Sequence, residues 1–191
     1  MKTCFLLIGA LFFTFVAGRA EAVSNAQMKN MTADEMSTLA LKDFLYYHFD
    51  EWFSRFQREI NRLESAVPSL ENRVELMKFH FNYAGLLGEL CHTLAFTSKY
   101  QDDKIAEKFL YHSRQVKNLA HDVLDENSVT ESQEAQANLF LGASEGYIGI
   151  FEYGQGNLIE ALVNGFQADN HLEEALLLDP KLVDANFGLG M

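Results

Sequence analysis

The sequence predicts an all-α protein, and three observations carry that expectation. Apolar residues recur at steps of three and four through most of the 191-residue chain. Proline occurs only twice, at Pro68 and Pro180, each time where a helical pattern stops. No stretch alternates apolar and polar residues as a half-buried strand would. Apolar residues make up 48% and charged residues 22%, a globular composition that excludes wholesale disorder.

Residues 1–22 read as a secretory signal peptide. Lys2 gives the positive start, Phe5 to Ala17 is uncharged and mostly apolar, and Ala20-Glu21-Ala22 is a small-x-small cleavage site. The run is too short to span a bilayer, which needs about 20 apolar residues. Residues 23–191 are then expected as a single all-helical domain in a secreted or periplasmic protein, with no integral membrane segment after signal removal. They hold 13 Lys and Arg against 26 Asp and Glu, a net charge of −13. Such a chain is repelled by nucleic acid and by anionic lipid. Of two cysteines, Cys4 leaves with the signal and Cys91 remains, which rules out an intrachain disulfide in the mature chain. Asn30-Met31-Thr32 fits the N-glycosylation pattern.

Each helix has its own signals. Thr32-Ala33-Asp34-Glu35 is a capping box, and Leu41, Leu45, Phe49, Trp52, Phe56, Ile60 and Leu63 follow on one face up to Pro68. Ser69 caps the next helix. Leu70, Val74, Met77, Phe81, Ala84, Gly88 and Cys91 form one apolar stripe and Leu76, Phe79, Tyr83, Leu87, Leu90 and Leu94 a second, so that helix needs neighbours on two sides. After the polar break Lys99–Asp103 comes a helix with Ile105, Phe109, His112, Val116, Leu119 and Val123 on one face. Thr130-Glu131-Ser132-Gln133 opens another, which runs to about Tyr153 and stops at Gly154-Gln155-Gly156. Asn157 and Glu160 start a helix that ends at Asp179-Pro180, and a last short one begins near Leu182.

Eight of the twelve glycines lie between Gly142 and Gly190. Ala161, Ala168 and Ala175 recur every seven residues, with Gly165 and Leu172 between them, a small-residue stripe that lets another helix approach closely. Ala168, Ala175 and Pro180, then Asp184, Ala185 and Leu189-Gly190, resemble the tetratricopeptide repeat in register, with Leu141-Gly142 as the preceding Leu-Gly pair. The spacing departs from the standard: Gly142 to Gly190 is 48 residues against about 34. Residues 130–191 are the tetratricopeptide-like part, and the similarity extends to a group of secreted bacterial proteins with long repeats of this kind. It implies antiparallel helical hairpins, stacked as an α-solenoid or a short array. Gly142, Ala168, Ala175, Pro180 and Gly190 are its structural positions. It also implies a groove lined by the first helix of a hairpin, with Asn138, Glu145, Tyr147, Glu152 and Tyr153 as the candidate residues; for Tyr147 the alternative is packing against the adjacent helix. In such a repeat protein the chain would continue. Ending at Met191, it would leave Phe187 and Leu189 without a partner helix, as in a truncated frame or a homodimer through the C-terminal helix.

No residue pattern points to catalysis. There is no nucleophile elbow, zinc-protease motif, paired Cys-x-x-Cys or phosphate loop. Glu89 and His92 form a lone Glu-x-x-His where a helical di-iron site needs two. Cys91 is expected as an inert buried thiol and His112 as a core histidine bonded to a neighbour. Gly154-Gln155-Gly156-Asn157 is read as a helix stop and cap rather than an anion site. The expected function is a non-enzymatic module that binds a basic or neutral protein or peptide partner, without cofactor or metal. The alternative is a small helical bundle carrying a hydrophobic ligand or cofactor in an aromatic pocket built around Phe49, Trp52 and Phe56.

Overall fold

The computed structural model describes residues 32, 35, 49–96 and 103–189; side chains are not described at 49, 50, 89–96, 103 and 187. The expected signal peptide, the glycosylation pattern at Asn30, the face through Leu41 and Leu45, and Gly190 lie outside the described residues. So do the side chains of Glu89, Cys91 and His92. The chain divides into two compact units, Met1–Trp52 and Phe53–Met191. In the first, Thr32 and Glu35 make the capping box their spacing predicts: the Thr32 N–H donates to Glu35 Oε2 at 3.0 Å, and the Glu35 N–H donates to Thr32 Oγ1 at 3.3 Å.

Six helices follow and, among the described residues, no strand: α1 (Phe49–Glu64), α2 (Leu70–Phe96), α3 (Asp103–Leu124), α4 (Glu131–Gln155), α5 (Leu158–Leu178) and α6 (Val183–Leu189). The fold is an all-α helical array. Neighbours in sequence pack together from α2 to α6, and so do α2 with α4 and α4 with α6. Every second helix thus contacts its predecessor two places back, so α2, α4 and α6 form one layer with α3 and α5 packed against it.

Local chemistry explains the boundaries. Ser69 caps α2 by accepting the Asn72 N–H at 3.1 Å. Thr130 and Gln133 form the second capping box, with bonds of 3.3 and 3.0 Å in opposite directions. Gly156 closes α4 at φ +84°, a left-handed conformation that favours glycine, and the Asn157 N–H reaches back to Glu152 O at 2.9 Å. Gly154, expected as part of the stop, is still helical. Asn157 stands at the N-cap of α5 but does not cap it through its side chain. Its amide donates instead to Glu152 Oε2 at 2.6 Å, tying the end of α4 to the start of α5.

Two buried clusters hold the array. Val74 and Met77 of α2 meet Val116, Ala120 and Val123 of α3 and Ala137 and Leu141 of α4. Leu139 of α4 meets Leu172 and Ala175 of α5 and Ala185 of α6. Leu189, expected to lack a partner, is partly buried against this second cluster, because α6 folds back onto α4 and α5.

Where α4 meets α5 the two helices pack nearly backbone on backbone. A Cβ built at Gly142 would stand 2.9 Å from the Ala168 carbonyl oxygen and 2.9 Å from Leu172 Cγ, and one at Gly149 would stand 3.2 Å from Ala161 O. Ala168 and Ala175 are buried as their spacing predicts, and Pro180, just past the end of α5, is exposed. The sequence reading placed small residues on α5; the structure shows that α4 answers with Gly142, Gly146 and Gly149, one and two turns apart.

Candidate interaction surface

The seam that buries Ala168, Leu172 and Ala175 turns the opposite side of α5 outward. Ile159, Leu162, Val163 and Phe166 recur at i, i+3, i+4 and i+7 and are exposed, from 50% for Val163 to 74% for Ile159. At about 100° per residue, Ile159 and Ala168 stand about 180° apart around the helix. Leu158 lies beside this strip at 57% exposure, and Leu177 resumes its line five turns on at 77%. Single exposed apolar residues are ordinary, but a contiguous row of large ones along one helix face is the kind of patch that marks an interaction site.

The strip's electrostatic setting is one-sided. Between Glu131 and Pro180, the whole α4–α5 hairpin, the chain has nine carboxylates and no Lys or Arg. On α5 itself Glu160 and Glu174 flank the strip on one side and Asp169 on the other, while Glu173 sits within its line; all four are exposed. Unscreened negative charge at this density attracts a cationic partner and repels an anionic one within about a Debye length.

The five residues the sequence assigned to a groove are dispersed. Asn138 and Glu145 are buried, at 4% and 2% exposure, because they face α3 and α5 rather than solvent. Glu145 Oε1 is 3.0 Å from Lys117 Nζ of α3, and its Oε2 is 3.7 Å from His171 Nε2 of α5. His171 Nδ1 lies 3.2 Å from Asn138 Oδ1, whose amide donates to Glu134 O at 3.1 Å. These four residues form a polar bracket across three helices. Tyr147 is half-buried, its ring 5.9 Å from Phe81, which also lies 5.0 Å from Phe140; the three make an aromatic row shared by α2 and α4. Glu152 is engaged by Asn157, and Tyr153 is 67% exposed.

The strongest perturbed groups lie elsewhere. His112 is the core histidine its place on the apolar face predicts, and its neighbour is His80 of α2, with the two Nδ1 atoms 2.8 Å apart. Burial pushes His80 down to about 4 and His112 to about 3, the latter also by the charges of His80 and Lys108. Both rings are therefore neutral at pH 7, one Nδ1 donating to the other. Tyr83, whose ring lies 4.1 Å from His112, is held above the usual phenol range by its own burial. A histidine neutral and sealed from solvent is a packing element rather than a poised acid. The sequence reading missed His80 because it falls between the two apolar stripes of α2; its signal was a polar residue on a helix crowded from two sides.

At the start of the array the described rings pack on one another, while the side chain of Phe49, expected in a ligand pocket with Trp52 and Phe56, lies outside the described residues. Phe56 is fully buried against Phe79 and Tyr83, at centroid distances of 6.1 and 5.6 Å, and Phe53 stacks on Tyr83 at 5.2 Å. Among the described residues no three His, Cys, Asp or Glu side chains converge on a metal position, and no helix is long and apolar enough to cross a membrane.

Comparison with protein-family models, curated proteins and solved structures finds no match.

Proposed function

We propose that this chain is a non-enzymatic helical array, akin to tetratricopeptide-like repeats, that binds a protein or peptide outside the cytoplasm. The observation that carries the reading is the exposed apolar strip on α5. Side chains of that size would each contribute about 1–2 kcal/mol on losing their remaining exposure, so four of them could supply the apolar centre of a modest interface. The ordering cost falls mainly on the partner, because α5 is already fixed by its seam with α4. The layered packing of α2, α4 and α6 is consistent with stacked hairpins. The signal-like residues 1–22 support the compartment, and the acidity supports a basic or neutral partner.

The test is selection of a displayed peptide library on the purified chain, with native mass spectrometry of the same preparation. Enriched peptides that bind the wild type and lose binding to I159E/F166E support the reading. A co-purifying small apolar ligand, with no peptide enriched, overturns it in favour of a carrier.

A further inference from the structure

We infer that the α5 strip docks an amphipathic α-helix whose polar flanks carry Lys and Arg. This rests on the reading of the chain as a protein-binding array and names the class of partner.

The spacing of Ile159, Leu162, Val163 and Phe166 is the first argument. Residues at i, i+3, i+4 and i+7 make one face of two short i+4 rows, a raised ridge along the helix whose natural complement is the groove between side-chain rows of a second helix. The ridge rises about 10 Å over the seven steps from Ile159 to Phe166, so two to three turns of a partner helix cover it. An extended strand finds nothing to pair with here, because the backbone groups of α5 are spent within the helix.

Charge is the second argument, and it selects among helices. Glu160 stands on one flank of the ridge, Asp169 lies on the other flank about one turn past Phe166, and Glu173 and Glu174 follow about two turns past it, with no Lys or Arg anywhere in the α4–α5 hairpin. A helix with apolar residues on one face and cations beside it places those cations against carboxylates on both flanks. A second copy of this chain pairing through the same strip would instead bring two cation-free hairpins together, carboxylate against carboxylate. Like-charge juxtaposition disfavours that pairing. The seam on the other side of α5 fixes which face is offered: Ala168, Leu172 and Ala175 are buried there, and at Gly142 the helices approach so closely that an added Cβ would stand 2.9 Å from the Ala168 carbonyl oxygen.

The test uses the full chain and three fluorescein-labelled synthetic peptides of 14 residues: an amphipathic Leu/Lys helix, its Leu/Glu twin, and a scrambled Leu/Lys peptide that keeps the charge and loses the apolar face. Fluorescence anisotropy is read at low and physiological salt. The Leu/Lys helix is expected to bind at least tenfold more tightly than either control, weakening severalfold as salt rises. F166E, at a position 69% exposed, is expected to reduce binding at least tenfold while leaving the helical circular dichroism spectrum unchanged. E160Q/D169N/E173Q/E174Q is expected to reduce it severalfold and flatten the salt dependence. Equal binding of the scrambled peptide overturns the helix inference. Equal binding of the Leu/Glu twin overturns the charge inference. A dimer in sedimentation equilibrium that F166E dissolves overturns both in favour of self-association. If none of the three peptides binds while library peptides of another type are enriched, the helix inference fails and the protein-binding reading stands. If neither binds, both fail.

Discussion

Gly142→Ala is the sharpest probe of how α5 is held. An added Cβ would meet the Ala168 carbonyl oxygen at 2.9 Å and Leu172 Cγ at 2.9 Å. Ordinary contact begins near 3.4 Å, so both neighbours must yield by about half an ångström. Leu172 is buried in the α4–α5–α6 cluster, and the Ala168 oxygen belongs to a helical backbone, so the two helices have to separate as bodies. Overpacking of this kind costs about 1–3 kcal/mol, while replacing a mid-helix glycine by alanine returns about 1 kcal/mol of helix propensity. Gly85→Ala is the matched control: it is also mid-helix, with nothing within 4 Å of the new Cβ. Urea denaturation followed by circular dichroism should place G85A about 1 kcal/mol above the wild type, and G142A about 1–3 kcal/mol below G85A. If the two substitutions shift the midpoint equally and in the same direction, the close seam is wrong.

Three further outcomes follow from the buried polar groups and the caps. His80 and His112 are depressed in the folded chain to about 4 and about 3 from 6.5, so the unfolded state binds more protons in that window. Their contribution to stability is full above pH 6.5 and is lost as pH falls through about 4 for His80 and about 3 for His112; H80L/H112L should flatten the slope of unfolding free energy between pH 7 and 4.5. In the α3–α4 ion pair, Glu145 is buried and Lys117 partly exposed, so K117M, which strands a buried carboxylate, should cost about 2–4 kcal/mol and E145Q about 1 kcal/mol or less in the same urea assay. Removing the α4 cap with T130A should cost about 1 kcal/mol.

What could be read from the sequence follows which signals are local. Capping boxes act over three residues, so those at Thr32 and Thr130 were legible, as were the Pro68 stop and the glycine-rich end of α4. The stripe of Ala161, Ala168 and Ala175 was legible as a close-approach face because helical periodicity is local too. Its partner was not, since Gly142, Gly146 and Gly149 become a groove only when α5 lies on them. The same limit hid the α5 strip: a helix apolar on both sides does not say which side has a neighbour. The unpartnered face was therefore expected at Leu189, which α6 in fact packs against α4 and α5. Glu145 and Asn138 read as groove residues because they are polar. They lie inside because Lys117 and His171, on other helices, supply the partners that make burial affordable. His80 and His112 are 32 residues apart, and only the α2–α3 packing joins them.

The central claim is that the outer face of α5 is where this protein meets its partner. Chemical-shift mapping of the isotopically labelled chain with the Leu/Lys helix tests it most directly. The account predicts that the largest shifts fall on Leu158 to Phe166 and on Asp169 and Glu173, with the row of Phe81, Phe140 and Tyr147 unmoved. Shifts concentrated on that aromatic row, with α5 silent, would contradict it.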